Sequence, residues 1–293
     1  MSDKKTSYTS RMKYLKKPPW LRRQLTNAYD YRKVKGNLDT AALHTICESG
    51  ACPNKGECWG AGTATFMILG DICTRSCRFC NVKTGKPLPP NPGEPENVAR
   101  MVKEMNIRHC VITSVDRDDL PDGGAAHWAH TLKAIKKLSP DTTIEALIPD
   151  FKGKTADIKT VMDARPEVIS HNLETVRRLT REVRVYANYE TSLQVLNYIA
   201  GNSNIRTKSG IMLGLGETEE EILETMDDLL MVNTKVITIG QYLQPTIRHL
   251  PVKKYIHPDD FERYASIARA KGFLYVESAP LVRSSYHAEK HVS

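Results

Sequence analysis

Six of the chain's seven cysteines fall into two tight groups, Cys47, Cys52 and Cys58, then Cys73, Cys77 and Cys80. The second group has the spacing C-x3-C-x2-C within Ile68-Leu-Gly-Asp-Ile-Cys73-Thr-Arg-Ser-Cys77-Arg-Phe-Cys80. Three thiolates on so short a loop converge on one soft metal centre, and thiolate favours zinc or an iron–sulfur cluster. A cubane holds four irons, so three cysteines leave one iron open to a substrate or cofactor. Zinc completed by a distant ligand is the alternative. The first group is spaced C-x4-C-x5-C, with Gly50, Pro53 and Gly56 supplying turns that gather its sulfurs. Zinc is an alternative there too, with His44 as fourth ligand, since H-x2-C is metal spacing. Cys110 lies inside an apolar strand and reads as a small buried hydrophobe.

The elements that position these thiols follow from periodicity. The apolar run Ala64–Leu69 predicts a buried strand that Gly70-Asp71 releases into the Cys73 loop. Further strands are predicted over 109–115, 143–148, 167–171, 205–214 and 235–241, with an apolar strand at 273–278. Helices are predicted over 95–105, 126–138, 155–165, 173–180, 190–200, 217–232 and 258–271. Six βα units at this spacing imply an α/β fold with a parallel sheet and right-handed crossovers. Ahead of them, 37–48 reads as one short helix, and another is expected after Pro18-Pro19.

In barrels built this way, chemistry gathers at the carboxyl ends of strands, where Cys73 lies. The other strand ends carry candidates. Asp122-Gly123-Gly124 follows the second strand, and paired glycines admit a ligand close to backbone; a plain acidic turn is the alternative. Asn172 and Glu174 follow the fourth strand, where Asn also commonly caps a helix. Gly210-Ile-Met212-Leu-Gly214-Leu-Gly216-Glu217 ends the fifth. Trp128 and Tyr242 read as packing residues, and no histidine has a triad-like partner set.

The chain has 293 residues, 40% of them apolar and 26% charged, as in soluble globular proteins. No run approaches ~18 consecutive apolar residues, so no membrane span is expected. No secretory h-region is seen, and clustered free thiols suit a reducing, cytoplasmic setting. The net charge of +8 is localised: residues 1–36 hold eleven Lys or Arg against two Asp. Such an arm reads first as a solvated, partly ordered segment, and its functional alternative is docking to an acidic protein partner by electrostatic steering. Nucleic-acid binding would call for a basic stripe on folded surface, and Asp3 and Pro18-Pro19 fit a mitochondrial transit peptide poorly.

C-x3-C-x-Phe-C after a first barrel strand resembles the signature of the radical S-adenosylmethionine superfamily. The resemblance implies a 4Fe–4S cluster on Cys73, Cys77 and Cys80 whose open iron chelates S-adenosylmethionine, which is cleaved to a 5′-deoxyadenosyl radical. It puts Phe79, Gly214 and Glu217 near the adenine, with Met212 at an Ile position of the family's GxIxGxxE. It puts Asn172 and Glu174 at the ribose, and Asp122, Gly123 and Gly124 near the methionyl amino group. The first triad, Gln241-Tyr-Leu-Gln-Pro-Thr246, His249-Leu-Pro-Val and Arg283-Ser284-Ser285-Tyr286 resemble the lipoyl synthase family over nearly all the chain beyond residue 37.

That resemblance implies a partial (β/α)6 TIM-type barrel over 61–278. A basic arm and an auxiliary cluster segment fill 1–60, and a tail at 279–293 closes over that cluster. A second 4Fe–4S cluster would sit on Cys47, Cys52, Cys58 and Ser285, with Ser285 counted among the catalytic residues. The implied reaction inserts sulfur at carbons 6 and 8 of a protein-bound octanoyl chain, which enters through the lateral gap of the incomplete barrel. Implied partners are octanoylated lipoyl-carrier domains (glycine cleavage H protein or 2-oxoacid dehydrogenase E2 domains) and a ferredoxin or flavodoxin, with no nucleic acid and no membrane. Three rivals are a methylthiotransferase-like two-cluster enzyme, a zinc-binding interaction module and an iron–sulfur electron carrier.

Overall fold

The computed structural model describes residues 15–22, 36, 38, 43–55 and 65–291. Most of the basic arm, and Cys58, lie outside the described residues. After Pro18, Pro19–Leu21 is a 3-10 turn with Arg22 extended, and residues 23–35 lie outside the described residues. Within the helix expected over 37–48, Leu38 is helical, residues 37 and 39–42 lie outside the described residues, and the chain is not helical over 43–45. β1 (His44–Thr45) pairs antiparallel with β2 (Thr65–Ile68), and only Ile46–Ser49 is helical after it, as α1. Thr45 explains the boundary: it is extended, and its hydroxyl accepts from the Glu48 N–H at 3.3 Å as an N-cap.

β3 (Ile72–Cys73) and β4 (Lys83–Thr84) form a small parallel pair around the thiol loop. The main sheet continues with β5 (His109–Ser114), β6 (Thr143–Leu147), β7 (Val168–Ser170), β8 (Arg206–Leu213), β9 (Val236–Gln241) and β10 (Tyr275–Ser278). Its order is β1-β2-β5-β6-β7-β8-β9-β10, with every pairing after β1 parallel. This is the expected partial barrel, the strand at 273–278 joining it as the last parallel strand. Helices α2 (Glu94–Glu104), α3 (Ala125–Leu138) and α4 (Thr155–Met162) match their predicted spans to within a few residues. So do α6 (Tyr189–Asn202), α7 (Glu219–Met231) and α8 (Pro258–Lys271).

The helix predicted over 173–180 is a correction. The Glu174 N–H donates to Gly210 O and its carbonyl accepts from the Met212 N–H, both at 2.9 Å. Residue 174 is therefore still bound to β8, at a positive φ of 66°. Helical turns begin only at Arg177–Leu179 (3-10) and α5 (Thr180–Val183).

Alternate strand residues face opposite sides. Phe66, Ile112, Ala146, Ile169, Ile211 and Ile239 are buried in the apolar layers shared with the helices. Trp128, read as packing, is fully buried and donates to Ser114 Oγ at 3.2 Å. The other face lines the barrel and mixes buried valines (Val111, Val168, Val236) with a buried polar group. Lys208 Nζ lies 2.8 Å from Glu145 Oε2, Ser170 donates to Glu145 Oε1 at 2.8 Å, and all three are wholly buried.

The expected lateral gap, between β1 and β10, is crossed by the chain's own ends. Asn54 Nδ2 donates to Leu281 O at 2.8 Å, and Gln241 N donates to Pro280 O at 3.2 Å. Gly240 allows the tail so close: a Cβ there would stand 2.2 Å from Val282 O. The tail then reaches the opposite mouth, where the His291 carbonyl accepts from Arg206 at the start of β8. Among the described residues no helix is long and apolar enough to cross a membrane.

Removing one member of a buried ion pair strands the other charge at a cost of ~3–5 kcal/mol. Lys208→Ala is expected to lower the unfolding free energy by that amount in urea denaturation. Lys208→Met combined with Glu145→Leu should recover most of it, and equal losses in both variants would contradict the assignment.

Candidate cluster and cofactor site

The loop that carries Cys73, Cys77 and Cys80 leaves β2 through two residues at positive φ, Leu69 at 70° and Gly70 at 94°. Leu69 is held there by its N–H, which donates to Glu94 Oε2 at 2.7 Å. Backbone bonds then fasten the loop on several sides. Thr74 N donates to Asp116 O at 3.1 Å, Gly85 N to Cys73 O at 3.0 Å, and Arg78 N to Val183 O at 2.9 Å. Leu250 N donates to Arg78 O at 3.1 Å. His249 Nε2 lies 2.9 Å from Cys80 O, and a carbonyl only accepts, so Nε2 carries the proton. Nδ1 then accepts from the Thr246 hydroxyl at 2.9 Å.

The strongest tie was not foreseen from sequence. Arg75, between the first two cysteines and 7% exposed, donates to both oxygens of Asp118 (2.7 and 2.9 Å). It also donates to both oxygens of Asp150 (2.8 and 2.7 Å), while Asp116 lies 3.4 Å away. Burial works against charge on Asp150, but the Arg75 bonds and charge outweigh it and bring its pKa to about 2. Asp116, with fewer compensating bonds, is pushed upward by burial. The one sequence signal was the cluster of acids in Asp116-Arg-Asp-Asp, which names no partner.

The three thiols are half-buried. Burial pushes Cys73 and Cys77 up to about 12, with Asp116 adding to the effect, and Cys80 to about 11. Held as neutral thiols here, they become thiolates only where a bound cation supplies the compensating charge. Three free thiols with no imidazole among them match the donor set of an iron–sulfur cluster. Among the described residues no group of three or more His, Cys, Asp or Glu side chains is already drawn together around a single-ion position.

Of the first triad, Cys47 is buried and Cys52 half-buried, while Cys58 lies outside the described residues. The structure brings this segment against the second loop: Asn81, next to Cys80, donates its amide to Ser49 O at 3.0 Å. Asn54, two residues beyond Cys52, holds the tail at Leu281, as above. Ser285 is half-buried four residues further on. The neighbouring Ser284 hydroxyl, not that of Ser285, accepts from Asn172 Nδ2 at 2.6 Å.

The cofactor candidates sit at the strand ends. Asn172 also donates to Glu174 Oε1 at 3.0 Å, and its own Oδ1 is buried without a partner. That orphan acceptor fits a hydroxyl donor from a bound ligand. Burial pushes the Glu174 carboxyl upward, against Arg184, Asn172 and Arg283. Phe79 is partly buried against the β8–β9 apolar layer. Asp122 is used locally, accepting from Gly124 N and Ala126 N at 2.9 Å at the start of α3. Gly124, at φ 89°, also leaves room for Leu69, whose Cδ1 would stand 2.5 Å from an added Cβ. Gly123 is likewise left-handed at φ 60°. The Glu217 carboxylate accepts from the N–H groups of Gly214, Leu215 and Gly216, and so shapes the loop's backbone. The buried His171 bonds Ile148 O and Ser192 Oγ, both at 2.9 Å, a satisfied structural histidine.

Residues 67–229 match the Radical SAM superfamily model. Solved structures of the same fold include Streptococcus suis SuiB bound to S-adenosylmethionine (TM-score 0.57, 14% identity, 72% of this chain and 48% of that one). Another is HydG, a maturase of the [FeFe]-hydrogenase (TM-score 0.57, 11% identity, 91% and 74%). At the sequence level, a lipoyl synthase of Phocaeicola vulgatus is 60% identical over 281 residues, covering 96% of this chain and 99% of that protein. This chain belongs to the lipoyl synthase family. A mitochondrial lipoyl synthase of Nematostella vectensis is 59% identical over 276 residues, 94% and 95% of the two chains. Lipoyl synthases, as radical S-adenosylmethionine enzymes, use that cofactor and 4Fe–4S clusters.

The Arg75–Asp150 contact has a pH signature. A carboxylate held below its unfolded value of ~3.9 stabilises the fold above that pH and loses the contribution as pH falls. With the folded value at about 2, the contribution is ~2 kcal/mol above pH ~4. Asp150→Asn is expected to cost this stability at neutral pH and little near pH 2, read by urea denaturation of cluster-free protein. A loss that is the same at both pH values would contradict it.

Proposed function

We propose that this chain inserts two sulfur atoms, at carbons 6 and 8, into an octanoyl group amide-linked to a carrier-protein lysine. Saturated carbons carry no acidic proton, so acid–base catalysis has no purchase on them and a radical is required. The observation that supports this reading best is the contact of the two thiol segments through Asn81 and Ser49, with the tail fastened beside them through Asn54 and Leu281. One loop for making a radical and one for giving up sulfur must lie within reach of the same chain.

When bound, S-adenosylmethionine and the two 4Fe–4S clusters supply the electron, the hydrogen-abstracting radical and the sulfur. The chain's own residues hold and aim them. In this reading Cys73, Cys77 and Cys80 hold the first cluster, and the Arg75 clamp keeps their loop against the strand ends. Phe79 and the Gly214–Glu217 loop flank the adenine. Asn172 Oδ1 takes a ribose hydroxyl beside Glu174, and Asp122-Gly123-Gly124 lies by the methionyl amino group. Cys47, Cys52 and Cys58 hold the second cluster with Ser285. Its alkoxide would be a hard oxygen ligand, poorly matched to a soft iron–sulfur core and so the weakest of the four.

The reading carries partners with it. The substrate arrives on octanoylated lipoyl-carrier domains, such as glycine cleavage H protein or 2-oxoacid dehydrogenase E2 domains. Electrons come from a ferredoxin or flavodoxin, and the basic arm serves docking in the cytoplasm.

The decisive variant replaces Cys73, Cys77 and Cys80 by Ala. On an octanoyl-lysine peptide the native protein should form 5′-deoxyadenosine and lipoyl product. The variant should form neither while keeping about half the iron, because each cubane holds the same number of irons. Cleavage of S-adenosylmethionine that survives in the variant would remove the assignment.

A further inference from the structure

The outer face of the Cys73 loop carries a surface that the reaction itself does not use. Cys73, Cys77 and Cys80 are half-buried, while Arg78, between Cys77 and Phe79, is exposed. Its backbone is bonded on one side to Val183 and on the other to Leu250. Each neighbour brings exposed apolar and basic side chains. Arg181, Val185 (47% exposed) and Tyr186 (64%) flank Val183, and Ile247 (66%) and Arg248 lie just before His249 and Leu250. Arg78, Arg181 and Arg248 are all exposed, and none is paired with an acidic side chain among the described residues. Glu182 is the acid within this patch.

Unpaired arginines around exposed Tyr and Ile mark an interaction surface. Its place decides the occupant. In the reading above, substrate and cofactor meet the cluster at the strand ends, which leaves the exposed side of the loop, at Arg78, to a reductant arriving from solvent. Electron tunnelling falls steeply with distance, so a reductant must dock there. We propose that Arg78, Arg181 and Arg248, with Tyr186 and Ile247, form the docking surface for a small acidic one-electron carrier protein that reduces the Cys73–Cys77–Cys80 cluster. This rests on the reading of that triad given above. One electron leaves the donor's reduced centre and enters the cluster, the donor is oxidised by one electron, and no bond or proton changes. Weak redox encounters bury little area, and charge steers them.

The test uses the holoenzyme and its Arg78→Glu/Arg181→Glu/Arg248→Glu variant, matched for iron content and circular dichroism. Calorimetry with an oxidised acidic flavodoxin at low salt is expected to show binding weakened about tenfold, since exposed pairs each contribute modestly. The difference should shrink at about 0.5 M salt, where exposed charges are screened. Cluster reduction by the reduced flavodoxin should slow to a similar degree, while reduction by dithionite and dithionite-driven turnover of an octanoylated carrier domain stay unchanged. Undiminished flavodoxin binding and reduction would overturn the proposal. So would a raised KM for the carrier under dithionite with normal flavodoxin reduction, which would give the patch to the carrier. Because the calorimetry reads docking alone, it stands apart from any failure to form lipoyl product.

Discussion

A buried guanidinium holds the site together. Arg75 sits inside the Cys73–Cys80 loop, and its partners Asp116, Asp118 and Asp150 come from beyond the ends of β5 and β6. An ion group so buried repays its desolvation only when its hydrogen bonds are all met and well formed. The planar fork, bonded to two oxygens on each of two carboxylates, meets that condition, and lysine would not. The thiol loop is short and lies outside the main sheet, so without this clamp little would set its height above the barrel mouth.

The second constraint is closure. A sheet of this order leaves β1 and β10 as open edges, and the protein bridges them with loops. Asn54 and Leu281, far apart in the chain, share one hydrogen bond across that opening. The bridge joins the first triad's segment to the tail that bears Ser285. Coupling between the two ends of the chain is therefore local: whatever moves the tail at Leu281 bears at once on the segment that carries Cys47 and Cys52. In the barrel interior Lys208, Glu145 and Ser170 satisfy one another, so these buried polar groups are not left without partners.

Much of this was legible in the chain. Short apolar runs ended by Gly or Asp located the parallel strands, and 3.6-residue patterns located the long helices. Thiol spacing alone pointed to soft-metal chemistry. What was hidden was long-range pairing. Nothing near Arg75 announces that Asp150, on another strand end, is its partner. Lys208 and Glu145 break the apolar pattern without saying why. The 173–180 helix failed because Glu174 stays bonded to β8, a tertiary contact that overrides local propensity. Ser285 came from family resemblance, since a serine ligand has no spacing rule. The tail's path over Gly240 shows only when a close backbone approach is seen.

The central claim is that the segment of Cys47, Cys52 and Cys58, latched beside the tail, holds a cluster that is spent as the sulfur source. The most direct measurement builds isotopically labelled sulfide into both clusters and follows one turnover on an octanoyl-lysine peptide. Labelled sulfur at both carbons of the product, with loss of sulfide from the Cys47 cluster and none from the Cys73 cluster, is the predicted result. Unlabelled product from fully labelled enzyme would contradict the account.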